Sequence, residues 1–179
     1  FDHTERFVAV DDLNGFRLKM IAALNSDASL RPTTFRMARR PIDWAVGNEV
    51  AMQRTVNLSI QLPGDDSSLL PLHSDVWSGN SPYELVLWLP LVDSFKTKSM
   101  YLLERPDSDK IFRELARYKN FETEKLYRQI KSKKVNLDVS YGHAVLFTHS
   151  LLHGNRVNEE KTTRWTLNVR LKGLLTPYG

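Results

Sequence analysis

In the stretch Thr163–Lys172, apolar and polar side chains alternate residue by residue. Trp165, Leu167, Val169 and Leu171 fall on one side, Arg164, Thr166, Asn168 and Arg170 on the other. Side chains of an extended strand point to opposite faces with a period of two, so this segment must lie between an apolar layer and something polar. Two surroundings meet that demand: solvent on the polar side, or the interior of a barrel that holds a charged ligand. The same period opens at Thr55–Leu62, where Val56, Leu58, Ile60 and Leu62 oppose Asn57, Ser59 and Gln61. Glu84–Val92, Ser99–Leu103, Val135–Val139 and Ala144–His149 are further strand candidates, separated by turn signals at 63–66, 79–82 and 141–142.

The first part of the chain has a different period. Asp11–Ala28 carries Leu13, Phe16, Met20, Ile21 and Leu24 at helical spacing, with Asp12 or Asn14 as caps, and Pro41–Gln53 reads as a second helix opened by proline. A charged helical insert over 107–133 has Ile111, Leu115, Leu126 and Ile130 as its buried positions. With no repeat and no linker, the expectation is one domain over 1–179: a helical part at 1–54, then a mainly β core at 55–179 with flanking helices.

Composition narrows the chemistry. The 179 residues contain no cysteine, so a metal can be held only through nitrogen and oxygen, and the absence fits a reducing compartment such as the cytoplasm. Lys and Arg exceed Asp and Glu by 25 − 21 = 4. So mild an excess fits an anionic small-molecule substrate better than nucleic acid. The longest apolar run, Leu85–Val92, is far short of the roughly 20 residues of a membrane span. The chain begins at Phe1 without a Met, which leaves room for residues upstream.

The chemistry-bearing motif is His73-Ser74-Asp75. Two residues apart in an extended segment, His73 and Asp75 point to the same side, and two His plus one carboxylate is the facial triad of non-haem Fe(II) oxygenases. A second histidine must come from far along the chain. His153, just before Gly154, is preferred to His149, which ends an apolar strand; His143 at a turn and His3 near the terminus read as structural. A dicarboxylate cosubstrate needs its far end neutralised by a cation. Arg164 is eleven positions beyond His153, and Arg170 is the reserve on the same face.

The stretches LPLHSDVWSGNSPYELVLWLPLVDSFKTKSMYLL and LFTHSLLHGNRVNEEKTTRWTLNVRLKGLLTPYG resemble the Fe(II)/2-oxoglutarate dioxygenase superfamily. Within it, they are most similar to the phytanoyl-CoA-hydroxylase-like branch and to oxygenases of bacterial carbohydrate-assembly gene clusters. The resemblance covers about 55–103 and 135–179. It implies a double-stranded β-helix (a cupin-like jelly roll), iron at His73, Asp75 and His153, and 2-oxoglutarate at Arg164 with Trp88 beside it. Asn57 and Gln61 would line the same pocket. O₂ would complete the reaction, and Asp75 stands where related halogenases have a small residue, which implies hydroxylation. His143 stands where the superfamily often has an Asp after Gly.

The expected substrate is a sugar or sugar conjugate, with Trp77, Asn80 and Tyr83 as its surface and Lys96, Lys98, Arg105 and Arg156 available to a phosphate. Two rival readings remain: a cupin-like sugar epimerase or isomerase with a His/Tyr acid–base pair, and a metal-free sugar-binding β-sandwich.

Overall fold

The computed structural model describes residues 1–114 and 122–177. Five helices and eight strands are present among them: α1 (Leu13–Ser26), α2 (Leu30–Met37), α3 (Arg39–Val46), β1 (Val50–Met52), β2 (Asn57–Gln61), β3 (Leu85–Pro90), β4 (Met100–Leu102), α4 (Arg105–Glu114), α5 (Thr123–Ile130), β5 (Val135–Asn136), β6 (Val145–Thr148), β7 (His153–Asn155) and β8 (Arg164–Gly173).

Every strand pairing is antiparallel, in two sheets. β8 is the spine of the larger one. Along one edge it pairs with β2 (Gln61 opposite Arg164) and then β1 (Val50 opposite Gly173); along the other it pairs with β3, which continues to β6. The smaller sheet runs β5-β4-β7. An isolated bridge joins His73 to His153 at its edge, with His73 N–H donating to the His153 carbonyl (2.9 Å) and His153 N–H to that of His73 (2.8 Å).

The alternation in β8 is resolved in favour of an interior. Trp165, Leu167, Val169 and Leu171 are buried with Leu58, Ile60, Leu62, Leu87 and Leu89 beneath Leu13 of α1 and Ile42 of α3. Each such buried side chain contributes roughly 1.5–3 kcal/mol over its exposed state. The opposite face, Arg164, Thr166, Asn168 and Arg170, lines a cavity whose other wall includes Met100, His153 and Asn155 of the smaller sheet. β3 is apolar on both sides because both are covered: Leu87 and Leu89 join the helix-side core, Val86 and Trp88 a cluster with Met100 and Phe147.

Several expected elements take a different form. Pro41–Gln53 is not one helix: α3 begins earlier and stops at Val46, and the next residues pair with β8 as β1, so the first 54 residues are not wholly helical. α2 and β7 answer no expected element. The insert is at least two helices, α4 and α5, with Ile111, Leu126 and Ile130 buried together; Leu115 lies outside the described residues.

One glycine is required by close approach. A Cβ on Gly154 would lie 2.6 Å from the Tyr101 hydroxyl and 2.8 Å from the Leu70 carbonyl oxygen, whereas one on Gly15 in α1 would meet nothing within 4 Å. Gly154→Ala should therefore destabilise the protein by roughly 1–3 kcal/mol through overpacking. Gly15→Ala should instead stabilise it by about 0.5–1 kcal/mol. Urea unfolding of both variants measures the contrast.

Candidate metal centre

Local structure sets the direction of each donor. His73 is in the bridge to β7, Ser74 is extended, and Asp75 opens a short 3-10 turn, Asp75–Ser78, closed by Gly79 in the left-handed region at φ 85°. Ser74 points away and its hydroxyl donates to the His149 carbonyl oxygen (2.7 Å). His73 and Asp75 therefore share a side. Asn80 holds the turn from outside, its Nδ2 donating to the Asp75 carbonyl oxygen (3.0 Å).

His73, Asp75 and His153 each offer one ligand atom, and these atoms all lie within 4.8 Å of one another. His73 Nδ1 is 2.8 Å from the Pro71 carbonyl oxygen and His153 Nδ1 2.9 Å from that of Leu151. A carbonyl can only accept, so both Nδ1 atoms carry a proton and both Nε2 atoms are the ones turned toward Asp75 as ligand atoms. Those Nε2 atoms stand 3.7 Å and 4.0 Å from the Asp75 oxygens. Burial foremost, and the neighbouring His73, push the His153 imidazole down to about 4, so it is neutral and able to ligate at neutral pH. Two imidazoles, one carboxylate and no thiolate suit a divalent first-row metal such as Fe(II).

His149 stands differently. It is fully buried, with Nε2 3.5 Å from Asp75 Oδ2 and Nδ1 3.2 Å from Glu84 Oε2, and neither nitrogen makes an aligned hydrogen bond. Burial lowers it to about 4 as well.

The cavity beside these residues has a volume of about 280 Å³. Arg164 lies in its wall, only 3% exposed. Its Nη2 donates to the Ser59 hydroxyl (3.2 Å), its Nε has no partner, and among the described residues no carboxylate lies within ion-pair distance. Burial lowers its pKa to about 10, which leaves it charged at neutral pH. A buried guanidinium facing a cavity, with only the more distant Asp65 to favour its charge, is suited to an anion. Arg170 does something else: its Nη2 is 3.4 Å from Asp75 Oδ1, and it lines both this cavity and a smaller one of about 270 Å³ formed with Gln53, Asn80, Glu84 and Lys172.

The other expected positions divide. Trp88 lines the main cavity. Asn57 and Gln61 stand outside that lining, and Ser59 between them takes the wall position. Asn57 is turned to the Asn168 carbonyl oxygen Oδ1 (3.0 Å), and Gln61 to the Arg156 carbonyl (2.8 Å). Asn80 reaches the smaller cavity, whereas Trp77 packs on Phe112 and Tyr83 is 52% exposed. Lys98, Arg105 and Arg156 are paired with Asp2, Asp109 and Glu124. His143 and His3 are exposed and away from the cluster. Sequence reasoning passed over Met100, Phe147, Asn155 and Glu84; only the strand periods around Met100 and Phe147 carried any signal of them.

No protein-family profile matches the chain and no curated protein aligns with it. Solved structures do. HygX from Streptomyces hygroscopicus with iron bound has a TM-score of 0.63 at 12% identity, covering 96% of this chain and 81% of HygX. A nickel complex of the non-heme monooxygenase ThoJ matches with a TM-score of 0.56 at 16% identity over 78% of this chain; the chain spans about half (51%) of ThoJ. The non-heme α-ketoglutarate-dependent epimerase SnoN from nogalamycin biosynthesis has a TM-score of 0.56 at 16% identity, covering 84% of this chain and 58% of SnoN. The fold is thus one shared with an iron-bound protein, a non-heme monooxygenase and a non-heme α-ketoglutarate-dependent epimerase. Among the described residues no helix is long and apolar enough to cross a membrane.

In the metal-free protein the two depressed histidines bear on stability. Between pH 6.5 and about 4 the unfolded chain takes up protons that folded His149 and His153 refuse. Stability should fall as pH falls through that window, partly offset by Glu84, whose burial raises its pKa. Urea midpoints at pH 7.5 and pH 5 should show the loss, with a shallower slope in His153→Gln.

Proposed function

We propose that this chain is an Fe(II)- and 2-oxoglutarate-dependent oxygenase that hydroxylates a sugar or sugar conjugate in bacterial carbohydrate or natural-product biosynthesis. On this reading residues 1–179 are one catalytic domain, and its two sheets are the halves of a double-stranded β-helix. The observation that carries it is the pairing of two features across one cavity. Three preset donors converge at His73, Asp75 and His153, and the buried, unpaired guanidinium of Arg164 shares their cavity.

His73, Asp75 and His153 would hold the iron, and Arg164 would neutralise the far carboxylate of 2-oxoglutarate, with Ser59 and Trp88 in the surrounding wall. Iron and 2-oxoglutarate, when bound, supply the O₂-dependent oxidation of a C–H bond, with succinate and CO₂ as co-products. The chain's own part is to bind and orient. Val86, Met100 and Phe147 form an apolar wall that limits water near the metal side. Asn80, Glu84, Arg170 and Lys172 offer hydrogen-bonding groups of both kinds in the adjoining cavity, which suits hydroxyls and a phosphate or carboxylate substituent. That HygX has been solved with nickel and 2-oxoglutarate bound supports the cosubstrate.

SnoN makes epimerisation by the same cofactors the second reading. The rival that uses a His/Tyr acid–base pair loses support, because the described lining of the main cavity contains no tyrosine. A metal-free sugar-binding role leaves the converging imidazoles and the buried Arg164 guanidinium without purpose.

Anaerobic Fe(II) titration with and without 2-oxoglutarate tests the proposal through the visible absorption that appears when both are bound. Asp75→Ala should abolish binding of iron while leaving the fold intact. Truncating one partner of a buried charge pair costs roughly 2–5 kcal/mol. At about 1.4 kcal/mol per decade, Arg164→Ala should weaken 2-oxoglutarate roughly thirty-fold or more. Arg170→Ala should do less to the cosubstrate; the reverse order would refute the assignment.

A further inference from the structure

The main cavity accounts for His73, Asp75, His153 and Arg164 and leaves Glu84 and His149 unexplained, although both are costly to place where they are. His149 is completely buried, lies outside the group whose ligand atoms converge, and stands between two carboxylates, one off each ring nitrogen. Its backbone is fixed too: its N–H donates to the Glu84 carbonyl oxygen (3.2 Å), and its carbonyl oxygen accepts from the Ser74 hydroxyl (2.7 Å), one residue before Asp75. So anchored, the residue brings Nε2 to 3.5 Å from Asp75 Oδ2 and Nδ1 to 3.2 Å from Glu84 Oε2.

We infer that Glu84 and His149 form a positioning arm that acts through Asp75, backing its Oδ2 with a buried imidazole while Arg170 donates to Oδ1. This rests on the reading of Asp75 as a metal ligand. A free carboxylate turns easily about its last bond and can present one oxygen or two to a metal. In this protein each oxygen has its own neighbour, His149 Nε2 at 3.5 Å and Arg170 Nη2 at 3.4 Å. These two neighbours limit how the carboxylate can turn before any metal arrives. The two neighbours differ in kind. Arg170 lines two cavities and can be drawn toward a ligand in either, whereas His149 is sealed and keeps its hold. Outer partners of this sort typically carry about 10–100-fold in metal affinity.

Co(II) titration of the purified chain tests the arm independently of turnover, reading both the dissociation constant and the visible d–d band that reports ligand geometry. His149→Leu should weaken Co(II) roughly 10–100-fold and alter the band. His149→Gln, which keeps an N–H in reach of Asp75, should recover most of the affinity. Glu84→Leu removes only the far support and should weaken Co(II) less than His149→Leu does; it carries the test if His149→Leu does not fold. Wild-type affinity and band in the folded Leu variants would overturn the arm and leave the triad standing. Co(II) binding that survives His153→Leu but vanishes in both His149 variants would make His149 a ligand, and also overturns it. No Co(II) binding by the unaltered chain sinks the metal reading itself, a result separable from both.

Discussion

Two backbone hydrogen bonds, exchanged between His73 and His153, hold this structure's chemistry together. They join segments eighty residues apart and put the two imidazoles side by side, ring centroids 4.2 Å apart. Closing so long a loop costs entropy, though the cost grows only slowly with length. The surrounding structure offsets it. Asn155, two residues on, donates and accepts with Leu70 on the other side of the same junction, and the Ser74 hydroxyl ties in His149. Direction then follows locally: each imidazole is oriented by a carbonyl two residues before it in its own segment, so neither relies on a distant side chain for its tautomer.

What could be read from the sequence was whatever a period or a spacing expresses. The alternation in β8 announced both the core and the cavity wall, and His73-Ser74-Asp75 announced two donors on one side. β7 was invisible because His153, Gly154 and Asn155 are too few and too mixed to show a period. α3 and β1 were merged because Pro41–Gln53 carries one apolar pattern across a change of backbone. Asn57 and Gln61 stand outside the cavity lining for another reason. They share a face with Ser59, but their amides have nearer partners in Asn168 and the Arg156 carbonyl. The contact of His149 with Glu84 lies beyond any local signal, since it depends on how β3 and β6 are joined.

Arg164 is the electrostatic counterpart of that junction. A buried guanidinium with no carboxylate in ion-pair distance among the described residues, and only the more distant charge of Asp65 to favour it, costs several kcal/mol that packing must offset, and here the apolar face of the same strand supplies the packing. The strand that bears the cost of the charge thus also bears the means of tolerating it. Arg170, on the same face six residues away, is spared that cost by Asp75.

β8 also limits how this protein can vary. It is paired along both edges and buried on both faces, and a shift of register by one residue would exchange those faces, turning Trp165 into the cavity and Arg164 into the core. Length changes in this strand are therefore confined to even steps, and even these displace the pairings with β1, β2 and β3 together. The connections and the helical insertion between β4 and β5 carry no such parity rule, so a residue gained or lost there leaves the two faces of the strand where they are.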